Sequence, residues 1–77
     1  MIPAHIPRRS VKSENLKQVG YDPQTGDMVI EFHAGPMYVY KNVPAQIHTD
    51  LMASEKKGEF FHRAIRNRFV AFQVPKV

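Results

Sequence analysis

A chain of 77 residues and 8.9 kDa is sized for one domain, because so short a chain buries only about 60% of the surface its unfolded form exposes, and size alone excludes a large cleft enzyme. With no cysteine and 43% hydrophobic residues, it has no disulfide framework, thiolate nucleophile or Cys-ligated metal and must rely on an apolar core. Eleven Lys and Arg against seven Asp and Glu leave a net charge of +4 and a pI near 9.7, which points to an anionic partner.

Residues 1–10 hold two prolines, Arg8 and Arg9 without periodicity and read as an extended N-terminal arm. A first strand is expected over Leu16–Tyr21, followed by the turn chemistry of Asp22-Pro23-Gln24-Thr25-Gly26-Asp27. Met28, Ile30 and Phe32 then alternate with Val29 and Glu31 as in a half-buried strand, and His33-Ala34-Gly35-Pro36 supplies a second reversal. Met37–Lys41 is the third strand, with Tyr38 and Tyr40 on one face and Met37 and Val39 on the other. Pro44 suits the first position of a short helix running to Ser54. A longer helix is expected over Glu59–Val70, where Phe61, Ala64, Ile65 and Phe72 share one stripe and Arg68 projects anomalously into it. The expected fold is therefore α+β, a small three-stranded antiparallel meander packed by two C-terminal helices. Residues 1–10 form the arm, 11–72 a single domain and 73–77 a C-terminal tail.

No apolar run approaches the roughly 18 residues of a membrane span, and Met1–Arg9 has no signal-peptide core, so a cytoplasmic protein with no membrane partner is expected. His5, His33, His48 and His62 lie in four separate segments without metal-ligand spacing. The serines lack a nucleophile-elbow context, the glycines are too dispersed for a phosphate loop, and the carboxylates offer no convincing acid–base pair. The chain reads as non-enzymatic, with no cofactor.

The positive charge is confined to the two ends. Residues 1–17 carry +3, with Arg8, Arg9 and Lys12 prominent, and residues 56–77 carry +5 from Lys56, Lys57, Arg63, Arg66, Arg68 and Lys76 against Glu59, while the middle contributes −4. Arg63 and Arg66 at helical spacing, with Lys56 and Lys57 ahead of them, form a candidate basic ridge for phosphates. Tyr38 and Tyr40 have two readings. Beneath the helices they are core with hydroxyls seeking a rim partner; on an open face they are a platform for stacking bases.

The sequence order Val11-Lys12-Ser13-Glu14-Asn15, Val19-Gly20-Tyr21-Asp22, Phe32-His33-Ala34-Gly35, Tyr38-Val39-Tyr40, Val43-Pro44, Ala53-Ser54, Gly58, Phe61 and Ile65-Arg66 before Phe69 resembles the KTSC domain. That family is named for its place at the C-terminus of some lysyl-tRNA synthetases and also has stand-alone bacterial and phage members. The resemblance implies a small non-enzymatic domain for which RNA binding has been proposed. It marks Tyr38 and Tyr40 as the central motif and Ser13, Asn15 and Arg66 as recurring polar positions. Glu14, the Glu55-Lys56-Lys57 segment and His62 depart from the pattern.

Two functions follow as expectations. The first is RNA or other nucleic-acid binding in transcription or translation, with Arg8, Arg9, Lys12, Lys56, Lys57, Arg63, Arg66 and Arg68 on phosphates and Tyr38 and Tyr40 on bases. The second draws on a looser likeness to small phage transcription regulators that bind host RNA polymerase, inhibit initiation and promote antitermination; there Val11, Ser13 and Asn15 would form the protein-binding edge. A monomer or small homo-oligomer suits either, and a small-molecule binder would need an oligomer to build its pocket.

Overall fold

The computed structural model describes residues 6–75; His5, Lys76 and the outer parts of the expected arm and tail lie outside them. Among the described residues the chain forms β1 (Arg8–Ser10), β2 (Leu16–Asp22), β3 (Asp27–Phe32), β4 (Met37–Tyr40), α1 (Ala45–Ala53), α2 (Lys57–Ala64) and β5 (Ala71–Val74). The strands make one antiparallel sheet in the order β1-β2-β3-β4-β5, so β5 pairs with β4 after the chain has passed through both helices. No helix among the described residues is long and apolar enough to cross a membrane.

The expected meander forms the centre of this sheet, and local turn chemistry sets its register. Asp22 Oδ1 accepts from the Gln24 amide at 2.9 Å, the Gly26 amide donates to Asp22 O at 2.8 Å, and Gly26 takes a φ of 79° that disfavours side chains with a Cβ. In the second reversal the Gly35 amide donates to Phe32 O at 2.9 Å with Gly35 at φ 118°. Asp27, buried at the start of β3, pairs through Oδ1 with Lys41 Nζ at 2.6 Å. That contact compensates the loss of hydration at the carboxylate.

Three expectations are corrected. The sheet has five strands rather than three, because Arg8–Ser10 pairs with Gln18–Gly20 and Ala71–Val74 pairs with Met37–Tyr40; the inner parts of the arm and tail are its edges. The first helix begins at Ala45, with Pro44 outside it in extended conformation, φ −61° and ψ 145°. The second helix ends at Ala64, six residues early. There the Ile65 and Arg66 amides both donate to Phe61 O at 2.9 Å, and Asn67 takes a φ of 62°, a left-handed position that Asn tolerates better than most residues. Arg68 therefore lies past the helix, which removes its anomaly, and Phe72 sits on β5, 59% exposed.

Both helices cover one face of the sheet. Directly paired residues share a face, so Met28 with Tyr40 and Ile30 with Tyr38 point to the same side. They join Leu16, Val19, Val43, Leu51, Phe61 and Ile65 in the main core. The tyrosine face is thus the covered one. On the other face Ile6, Val29 and Val39 form a second buried cluster, flanked by Met37 and Val74, and the chain at Ile6-Pro7 crosses β2 at Gly20. A Cβ on Gly20 would stand 2.6 Å from the Pro7 carbonyl oxygen and 3.0 Å from Ile6 Cγ2. Gly20→Ala is expected to lower stability by about 1–3 kcal/mol, the usual cost of overpacking, read as a reduced urea midpoint at unchanged m-value. An unchanged midpoint would show that the residue 6–7 segment is not held against β2.

Candidate functional site

The Ser13–Asn15 loop is built by its own backbone. Ser13 Oγ accepts from the Asn15 and Leu16 amides, each at 3.2 Å, a local side-chain-to-backbone turn. The His33 amide donates to Asn15 O at 3.0 Å, and His33 Nε2 lies 3.0 Å from Ser13 O. Because a carbonyl only accepts, the His33 proton is on Nε2. The loop is thereby tied to the β3–β4 turn, and Asn15 is held over the first turn of α2, where a Cβ on Gly58 would come within 2.8 Å of Asn15 Nδ2.

Between this loop, the β3–β4 turn, β4 and α2 lies an open cleft of about 970 Å³, lined among others by Asn15, Tyr38, Tyr40, His62, Arg66 and Asn67. Phe61 forms its floor with Tyr40, whose ring meets it edge-on at 5.6 Å, and with Phe32 at 5.3 Å. Tyr38 lies 6.3 Å from Tyr40 between ring centroids and is half-buried, whereas Tyr40 is 6% exposed. Base stacking at Tyr40 is therefore closed by packing, whereas the half-buried Tyr38 lines the cleft with part of its surface exposed. Arg66 Nη1 is 3.1 Å from His62 Nδ1. The guanidinium can only donate, so Nδ1 is the acceptor in this contact. Burial pushes the Tyr40 hydroxyl pKa up from 10.0 to about 12, helped by Tyr38, while the Arg66 charge pulls it down.

The remaining expected site residues are dispersed. Lys56 and Lys57 border a smaller notch beside the cleft together with Ser13, Glu14 and Glu55, and Lys57 Nζ donates to Ser54 O at 2.7 Å. Arg63 stands 5.8 Å above the Phe60 ring and is not among the residues lining the cleft, whereas Arg66 is. Arg8 and Arg9 belong to opposite faces of the sheet, since Arg8 pairs with Gly20 and Arg9 with Val19. Lys12 and Arg68 are exposed outside the cleft. Val11 packs against the main core and Ser13 is occupied by its turn, which leaves Asn15 as the open member of the expected protein-binding edge. His62 and Asn67 are site residues that the sequence reading left aside; the i, i+4 spacing of His62 and Arg66 is the signal that finds the first. Among the described residues no group of three or more His, Asp and Glu side chains is placed to hold a metal.

The raised Tyr40 pKa has a sign that can be checked. A tyrosine whose folded pKa exceeds its unfolded value stabilises the fold fully below pH 10.0 and loses that contribution as pH rises toward about 12. Absorbance titration at 295 nm is expected to show an ionisation near pH 12 that vanishes in Tyr40→Phe and moves higher in Arg66→Ala. An ionisation that stays in place when Arg66 is removed would separate the two groups.

A KTSC domain model matches residues 12–69, a span that contains Asn15, Tyr38, Tyr40 and Arg66 and leaves β1 and β5 outside. The chain is similar to a protein of Tsukamurella paurometabola, 34% identical over 61 residues, or 79% of this chain and 91% of that protein. It is also similar to a lysine–tRNA ligase of Nostoc sp., 33% identical over 54 residues, which make up 70% of this chain but 10% of the ligase. A solved structure of a KTSC domain protein from Yersinia pestis superposes with a TM-score of 0.86 at 31% identity, covering 91% of this chain and 99% of the other. In sequence and in fold alike, the chain belongs to the KTSC domain family.

Proposed function

We propose that this chain is a non-enzymatic RNA-binding module, acting in translation or transcription, that receives a single-stranded nucleotide in the cleft between α2 and the β3–β4 turn. The observation that carries the reading is the convergence of the half-buried Tyr38, Asn15 and Arg66 on one open cleft. An aromatic face stacks any base, an amide hydrogen-bonds to base edges, and a guanidinium takes phosphate in a fixed fork. Glu14 and Glu59 also line the cleft and repel phosphate, which directs the backbone toward the Arg66 end. Lys56, Lys57, Arg63 and Arg68 add attraction around it without fixing a register. Arg8 and Arg9, on opposite faces, cannot both join one strand path. Kinship with a segment of lysine–tRNA ligases, enzymes whose name states that they act on tRNA, supports an RNA context. The alternative, docking on a host protein such as RNA polymerase through Val11, Ser13 and Asn15, has less exposed chemistry available because Val11 and Ser13 serve internal contacts.

Fluorescence anisotropy with a labelled single-stranded RNA tests the reading. Raising NaCl from about 50 to about 200 mM is expected to weaken binding by one or more orders of magnitude if several phosphates are neutralised. Arg66→Ala should reduce the salt slope by about 1. Tyr38→Ala should lose about 1–3 kcal/mol of stacking with the slope preserved. Absence of binding at low salt, or salt-independent binding, overturns the proposal. A stoichiometric protein partner retained from nuclease-treated bacterial lysate, with no RNA affinity in the purified chain, transfers the function to the alternative.

A further inference from the structure

A second groove, sharing no residue with the Tyr38–Arg66 cleft, lies between α1 and the β1–β2 pair. It encloses about 590 Å³ and is lined by Arg9, Tyr21, His48, Thr49 and Met52 among others, with no Asp or Glu in its walls. Its geometry is fixed from below. The Tyr21 hydroxyl donates to Val43 O at 2.6 Å, which anchors the ring, and the His48 imidazole stacks on that ring at 4.6 Å with an interplanar angle of 11°. His48 is therefore held flat in the groove. Neither of its ring nitrogens has a hydrogen-bond partner among the described residues, and Arg9 has no acidic partner among them.

We propose that this groove is a phosphate-binding site, in which Arg9 and a protonated His48 take the negative charge and the Thr49 hydroxyl donates a hydrogen bond. Arg9 and an imidazole able to take a proton share a groove with no acid in its walls, so the guanidinium charge is uncompensated there in the free protein. A phosphate group bridging them supplies the missing charge and adds charge-assisted hydrogen bonds. The groups that face His48 are Arg9 from β1, the neutral Tyr21 from β2, and Thr49 beside it on α1; Asp50, next along the helix, is occupied as acceptor for Gln46 Nε2 at 2.8 Å. Burial, and secondarily the Arg9 charge, hold the His48 pKa below its usual 6.5, which favours the neutral imidazole in the free protein. Bound phosphate reverses the local sign and favours the imidazolium. By linkage, the factor by which protonation tightens phosphate binding equals the factor by which phosphate raises the proton affinity of His48.

The test follows the His48 ring by NMR from about pH 5 to about pH 8, the range in which imidazole titrates. The full chain is measured alone, with inorganic phosphate, and with a dinucleoside monophosphate, whose diester keeps its single charge throughout. The His48 pKa is expected to rise by about one pH unit at saturation, equivalent to about tenfold tighter binding to the protonated form. A response to phosphate alone assigns the site to free phosphate or monoesters, and a response to the diester assigns it to a nucleic-acid backbone; either supports the site. In Arg9→Gln, a conservative change on an exposed edge strand, the pKa without ligand should rise and the ligand-dependent shift should disappear. An unmoved His48 with both probes, or a shift of full size in Arg9→Gln, overturns the proposal.

Discussion

The cleft rests on how Phe61 seats the second helix. Its ring meets Phe32 and Tyr40 edge-on, at 5.3 and 5.6 Å with interplanar angles of 69° and 77°, so the helix is located by directional ring contacts as well as by apolar burial. The same residue supplies the carbonyl that accepts the Ile65 and Arg66 amides. One side chain and its own carbonyl thus fix both where the helix lies on the sheet and where it stops. Every polar group that α2 and its C-terminal turn bring to the cleft inherits its position from that seat.

The parts of the fold that could be read in the sequence are those written by local chemistry. Asp22-Pro23 through Gly26 and Gly35 dictate their turns whatever the rest of the chain does, and the strands between them appear within a residue or so of their expected limits. The edges were hidden for two different reasons. Arg8-Arg9-Ser10 has no apolar alternation, and its strand depends on non-local packing of the neighbouring Ile6-Pro7 against Gly20. Phe72 lies eleven positions after Phe61, about three helical turns, so it matches a helical stripe even though the chain has reversed at Asn67 between them. The Asn itself is the only local mark of that reversal.

The candidate site was legible as a set of residues and not as a place. Tyr38, Tyr40, Asn15 and Arg66 are marked by the family pattern, but that the helices cover the face carrying both tyrosines is decided by cross-strand register with Met28 and Ile30, and that Tyr40 is the more deeply buried of the two is decided by packing. Charge counting was less informative. The basic residues of the two ends share a sign without all sharing a surface, because Arg8 and Arg9, adjacent on a strand, point to opposite sides and because Arg66 lines the cleft while Arg63 does not.

Strand β5 also gives the site a temporal character. Ala71 lines the cleft, and the Val70 carbonyl accepts the Lys41 amide at 2.8 Å, yet this edge pairs with β4 only after both helices have been traversed. Its closure spans the longest loop in the sheet and carries the largest entropic penalty of the strand pairings. During synthesis the inner strands and both helices have left the ribosome before the last wall can dock. The candidate cleft is in this sense a late product of folding, completed by a strand that the inner hairpins do not need in order to form.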